Sequence, residues 1–137
     1  MEVEKYNDIE KCIATEINEY ANQEIYDDIN AIINTSDDIA MGIVGILTSW
    51  ACKPQNYSSI IVARKRLLEF PTEWVEEKIK ASATLLIEIC DYWEYRRLLE
   101  LLESISKDLF NWTLSLGENS SDLDICEAVN DFKNPGL

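Results

Sequence analysis

Histidine is absent from this chain, and that one absence removes the commonest general base and the commonest metal ligand together. Glycine and proline are scarce, at four and three residues, which disfavours an all-β fold with its many tight turns. The four cysteines, Cys12, Cys52, Cys90 and Cys126, stand 40, 38 and 36 residues apart and form no CxxC pair. Zinc sites usually close two ligands within a few residues, so no structural metal site is expected. Free thiols in a reducing cytoplasm account for the cysteines, with Cys90 and Cys126 read as small core residues. No basic start followed by an apolar run reads as a signal peptide, and charge interrupts every helical pattern before it could span a membrane. The phosphate-binding GxxxxGK(S/T), the dinucleotide-binding GxGxxG and the nucleophile elbow GxSxG are all missing. The expectation is a protein with no metal, no cofactor and no catalytic role.

Basic residues are also in short supply. Twelve face twenty-six acids, giving a net charge of −14, and the pI is near 4.2. Such a chain repels nucleic acid and anionic membranes, both of which attract proteins through Lys and Arg. The charge is uneven. Residues 1–50 hold eleven acids and two bases, residues 51–66 hold four bases (Lys53, Arg64, Lys65, Arg66) and no acid, and residues 67–137 hold fifteen acids and six bases. The segments thus carry −9, +4 and −9. An acidic surface serves solubility; it also matches a basic partner.

What the chain has in quantity is apolar material: 47% of its residues, with four Trp, six Tyr and three Phe. That is enough for a core in one domain of 137 residues. Its spacing is helical. In 6–33, Ile9, Ile13, Ile17, Tyr20, Ile25, Ile29, Ile32 and Ile33 advance mostly by threes and fours, with a five-residue step that allows a break near Asn22. Thr35-Ser36-Asp37-Asp38 reads as a capped helix start with carboxylates in the first turn. The helix it opens, to about Trp50, is nearly all apolar and belongs in the middle of the core. Gly42 and Gly45 suit close helix–helix approach there. Lys53-Pro54-Gln55-Asn56 is a loop. A helix capped by Ser58 or Ser59 then runs to about Glu69, with Ile60, Ile61, Ala63, Leu67 and Leu68 inward.

Pro71 opens the next helix, to about Cys90, on a stripe of Val75, Ile79, Ala83, Leu86 and Ile89 with Lys78 outside. Another covers about 92–105, with Trp93 among its inward residues. Ser106 caps the one that carries Leu109, Phe110, Trp112 and Leu116 and stops at Gly117. Ser121 to Asp124 forms a capping box for the last, on Ile125, Ala128, Val129 and Phe132, and Asn134-Pro135-Gly136 ends it. The spacing predicts about seven helices and no sheet. Short connections make neighbours antiparallel, so the expected layout is an all-α stack of helical hairpins, α-solenoid-like. An internal echo, Asn34-Thr35-Ser36-Asp37-Asp38-Ile39 against Asn119 to Ile125, agrees with repetition.

Carboxylate pairs are plentiful: Asp27/Asp28, Asp37/Asp38, Glu76/Glu77 and Asp122/Asp124. They fall at helix starts or on polar faces, where capping and solvation explain them better than catalysis does. The most distinctive run is Asp91-Tyr92-Trp93-Glu94-Tyr95-Arg96-Arg97. Its three aromatics cannot all face one core, because successive helical residues turn by about 100°. Aromatic and Arg residues dominate binding hot spots.

The stretch from Asp91 to Leu101, and that from Leu116 to Phe132, resemble the ends of small helical immunity proteins that accompany bacterial polymorphic and contact-dependent toxins. The last stretch is also similar to the second helix of a HEAT-type repeat in its acid-x-acid-Ile start and Ala-Val spacing, and departs from it at Cys126, where a basic residue is usual. The resemblance covers about a third of the chain. It implies a cytoplasmic protein that neutralises a cognate toxin by direct binding. Toxins of this kind are often nucleases with basic substrate-binding surfaces, which an acidic protein can occupy. Helical phase then selects Asp37, Asp38, Glu73, Glu77, Asp91 and Glu94 as exposed partner-binding acids, with Trp74, Tyr92 and Tyr95 as anchors. The partner is a protein, not nucleic acid or membrane. Two rival readings remain: a helical adaptor that takes a peptide or helix in an apolar groove, and an enzyme built on a carboxylate pair.

Overall fold

In the computed structural model, the described residues are 8–52, 57–89 and 92–134, and the side chains of residues 57, 83–89, 92 and 94 fall outside the description. The described residues form helices and no strand: α1 (Asp8–Ala21), α2 (Ile29–Ile33), α3 (Asp37–Ala51), α4 (Tyr57–Leu68), α5 (Thr72–Ile89), α6 (Tyr92–Ile105), α7 (Lys107–Glu118) and α8 (Leu123–Lys133). The Lys53–Asn56 loop, Cys90 and the Pro135-Gly136 stop lie outside the described residues, as do the side chains of Ala83, Leu86 and Ile89.

Among the described residues eight helices stand where about seven were expected, because the first apolar stripe divides. Asn22 takes a left-handed conformation (φ +57°) after α1. The amide of Gln23 donates to the carbonyl of Asn18, and that of Asn22 to Glu19, closing a Schellman stop with asparagine in the position glycine usually holds. The Asn18 side chain then accepts from the amides of Ile25 and Tyr26 at 2.8 and 3.0 Å, which fixes the chain's path into α2.

Helix α3 is the centre. Ile43, Val44, Leu47 and Ala51 have no solvent exposure, and α1, α4, α5 and, more lightly, α6 all pack on it. Its start is the one its sequence predicts, with Ser36 Oγ accepting from the Ile39 amide. Helix α1 runs antiparallel to it: Trp50 donates its indole N–H to Glu16 at 2.9 Å, while Tyr20 reaches the Asp38 carbonyl at the other end. A β-carbon on Gly42 would overlap the Tyr20 ring, so this glycine is what admits α1 so closely. Helix α5 runs parallel to α3, since Asp37 meets Lys78 and Gly45 faces Ser82. Helix α4 is the antiparallel return between them, tied back where Ser59 Oγ donates to the Trp50 carbonyl.

The last three helices pack mutually. Their key is Tyr95, fully buried, whose hydroxyl donates to the Thr113 carbonyl at 2.9 Å. It sits in the notch left by Gly117, where a β-carbon would overlap the Tyr95 hydroxyl and stand 2.6 Å from Val129 Cγ2. Burial pushes this phenol well above its ordinary pKa. Ser106 caps α7 as expected, but α8 is capped by Asp122, one residue after Ser121. The sequence echo has a structural counterpart: Asn34 and Asn119 each follow a helix and donate their side-chain amide to the carbonyl four residues back.

Four inward assignments fail. Tyr20, placed on the buried stripe of the first segment, is 50% exposed and lies over Gly42 at the edge of α3. Ile61 and Leu68 are exposed, because Ile60, Ala63 and Leu67 already fill the buried stripe of α4. Trp93 is exposed while Tyr95 is the core aromatic, since the buried stripe of α6 runs Tyr95, Leu98, Leu99, Leu101 and Leu102. Lys78, read as outside, is buried; it lies beside Ile79 on the flank of the α5 stripe.

Helices α4 and α6 are joined by charge. Arg64 and Arg97 each place a guanidinium nitrogen 3.0 Å from Glu100 Oε2. Burial opposes ionisation of Glu100, but the hydrogen bonds from Arg64 and Arg97 outweigh it and hold the carboxyl below its ordinary range.

The glycines and Glu100 yield two tests. Gly45→Ala, which meets only Ser82 Cβ at 3.9 Å, is expected to raise stability by about 0.5–1 kcal/mol. Gly117→Ala is expected to lower it by about 1–3 kcal/mol through overpacking; urea titrations compare the two. The folded pKa of Glu100 lies below its unfolded value, so its pairing contributes fully above about pH 4.3 and is lost as pH falls through the folded value. Glu100→Gln should flatten stability against pH in that acid window and leave its slope near neutrality unchanged, which urea midpoints across the range would read.

Candidate acidic interaction face

Lys78, in the second turn of α5, reaches Asp37 in the first turn of α3, and four of the six acids selected by helical phase stand on these two helix starts. Ser36 ends an extended segment and caps α3, so Asp37 and Asp38 occupy the first turn, where the helix dipole favours carboxylates. Pro71 precedes α5, and its carbonyl accepts from the Val75 amide. That start places Glu73, Trp74 and Glu77 on the first two turns, with Val75 and Ile79 turned to the core.

Lys78 joins the two helices. Its Nζ reaches Asp37 Oδ1 at 3.3 Å while its stem is buried, and the Asp37 side chain is almost wholly exposed. The same ammonium lies 5.7 Å from the centroid of the Trp74 ring, near enough for a cation–π contact. Trp74 is half-buried and stacks on Phe70 with ring centroids 4.9 Å apart. It is therefore an anchor already seated in the protein, with only part of its surface available to a partner. Asp38, Glu73 and Glu77 are exposed, and no ion pair among the described residues holds them.

The structure thus brings Asp37 and Trp74 together around Lys78, with Asp38, Glu73 and Glu77 beside them on the same two helices. Tyr95 does not belong to this face. It was selected as a surface anchor and is buried in the notch at Gly117, because helical phase puts it with Leu98, Leu99 and Leu102. Asp91 lies outside the described residues, and so do the side chains of Tyr92 and Glu94. Lys78 is the residue that sequence reasoning missed. Its signal was present in its position three residues after Val75 and four after Trp74, the spacing of a residue on one face.

Chemically, the face offers carboxylates in water around a partly covered indole. Among the described residues no group of three or more Cys, Asp or Glu could hold a metal ion. No helix among them is long and apolar enough to cross a membrane. No family model, curated protein or solved structure matches this chain.

Asp37→Asn is expected to strand the buried ammonium of Lys78 and lower stability by about 1 kcal/mol, while Asp38→Asn stays within about 0.5 kcal/mol. Adding Lys78→Met to Asp37→Asn should recover the loss, because removing both members of a part-buried pair is close to neutral. A double-mutant cycle in urea measures the coupling.

Proposed function

We propose that this chain is an immunity protein, which binds and neutralises a cognate bacterial toxin through its acidic surface. The carrying observation is the state of charge where α3 meets α5: Lys78 is buried and paired with Asp37, while Asp38, Glu73 and Glu77 stand exposed and, among the described residues, in no ion pair. A surface so arranged offers net negative charge to a basic protein without rearranging its own pairs. The net charge of −14 acts in the same direction. Opposite charge raises association rates towards about 10⁸–10⁹ M⁻¹s⁻¹ at low salt, which suits the capture of a lethal enzyme. The likeness of the Asp91–Leu101 and Leu116–Phe132 stretches to helical immunity proteins supports the same reading, as does the lack of any membrane-spanning helix among the described residues for a cytoplasmic site of action. In this reading the protein is not an enzyme and needs no cofactor.

A second reading has its own observation. Helices α6, α7 and α8 enclose a groove of about 570 Å³, with Phe110 and Phe132 at its floor and Arg96, Glu103 and Lys107 around it. The two rings meet edge to face, 6.1 Å between centroids. An apolar floor with a polar rim is what a helical adaptor uses to take a peptide.

Co-purification from the native host at low and at high salt separates the two. Recovery of a basic toxin domain, lost as salt rises, is the result expected for an immunity protein. Reversing Asp38 and Glu77 to Lys should then weaken binding about tenfold or more and reduce its salt dependence. A partner retained at high salt, and released by Phe132→Ala but not by the charge reversals, would establish the adaptor reading instead.

A further inference from the structure

The outer face of α4 and the adjoining part of α6 run against the sign of the whole molecule. Residues 51–66 carry four cations and no acid in a chain of net −14. On α4, Ile61, Lys65 and Leu68 are all exposed, Ile61 at 53% and Leu68 at 52%. Steps of four and three put them on a single stripe. Two large aliphatic side chains one heptad apart, with a lysine between them, contribute nothing to the core from that position.

Both flanks of the stripe are shaped. Towards α1 there is a crevice of about 360 Å³, lined by Glu10, Ile61, Val62, Lys65, Arg66 and Glu69. Its carboxylates are already engaged: Glu10 accepts from the Tyr26 hydroxyl at 2.7 Å, and Glu69 pairs with Arg66 at 3.3 Å. Towards α6, Arg64 reaches the carbonyl of Arg97 at 3.4 Å, and the guanidiniums of both converge on Glu100. Two cations share one carboxylate there, so positive charge is left over. Trp93, 58% exposed, stands one turn before Arg97 on the same helix. Exposed Trp and Arg side by side have the composition of a binding hot spot.

We propose that this α4–α6 ridge is a second docking surface, and that its occupant is an acidic amphipathic helix of a protein partner. Apolar anchors of that helix seat along Ile61, Leu68 and the α1–α4 crevice, and its carboxylates meet Lys65 and the Arg64–Arg97 pair. Charge selects this occupant: among the described residues, the ion pairs of Arg64 and Arg97 both end on Glu100, and no ion pair holds Lys65. A second copy of this chain would bring its own −14 against the same charge, and the backbone of nucleic acid offers no apolar anchor for the exposed Ile61 and Leu68. The ridge is opposite in sign to the α3–α5 face, so the two surfaces serve partners of opposite charge.

The test uses the full chain and a fluorescent synthetic helix with leucines one heptad apart and glutamates on its polar face. A matched helix carrying lysines serves as control, and fluorescence anisotropy is read at about 50 and about 300 mM salt. The acidic helix should bind, more weakly at the higher salt, and Lys65→Glu and Trp93→Ala should each weaken it about fivefold or more. Both residues are exposed, so circular dichroism and thermal midpoints should match the parent. Absence of binding at low salt, or binding untouched by both variants, would overturn the proposal. So would sedimentation of the parent as a dimer that Lys65→Glu dissociates, or displacement of the helix by an oligonucleotide of equal charge.

Discussion

A helix without a polar face has to be covered on every side, and α3 imposes that requirement on this protein. Its fully buried Ile43, Val44, Leu47 and Ala51 leave little backbone or side chain suited to water. One neighbour cannot satisfy it, so α1, α4, α5 and, more lightly, α6 pack on it, leaving Ser49 exposed and Met41, Gly42, Gly45, Ile46 and Trp50 partly covered. The two devices that permit close packing are local: the absence of a β-carbon at Gly42 admits Tyr20, and Ser36 ends the helix cleanly where its carboxylates begin. The acidic face exists because that buried helix must end somewhere, and its first turn surfaces beside α5. The candidate face and the core are thus two ends of the same element.

The electrostatics carry a cost inside the protein. Among the described residues Asp38, Glu73 and Glu77 have no ion-pair partner, and repulsion between like charges opposes the compact state. The basic residues are used where they bind elements together: Arg66 lies over the Tyr26 ring and pairs with Glu69, Arg64 and Arg97 clamp Glu100, and Lys78 ties α5 to α3. Arg96 with Asp131, and Lys133 with Glu118, close the C-terminal helices in the same way. Cations act as internal fasteners, which leaves the unpaired acids to define most of the outer surface.

Much of this was legible in the sequence, and the exceptions share a cause. Hydroxyl caps at Ser36 and Ser106 were readable because capping is a local contest between side chain and backbone. So were the central burial of the 37–51 helix and the use of Gly42, since composition alone carries them. Failures came where a choice depended on neighbours far along the chain. Trp93 and Tyr95 are two residues apart; the stripe of Leu98, Leu99 and Leu102 takes Tyr95, and the notch at Gly117, 22 positions later, makes room for its ring. Ile61 looked inward because it is apolar, yet α4 had enough inward residues without it. Lys78 looked outward because it is charged, yet its long stem is buried while its amine lies over the Trp74 ring and meets Asp37. Of the candidate site, the pairing of α3 with α5 was not legible at all, for no local signal says which helices become neighbours.

The order of packing bears on how the protein is made. Helices α1 to α5 contain nearly all of the contacts that cover α3, and they are the first to leave the ribosome. A central helix completed by elements already synthesised does not wait for the C-terminus, and contacts between near neighbours in sequence close quickly. Helices α6 to α8 then fold chiefly on one another, with Tyr95 finding its notch only once Gly117 has emerged. Assembly therefore follows the direction of synthesis, and the half that bears the acidic face is the half that matures first.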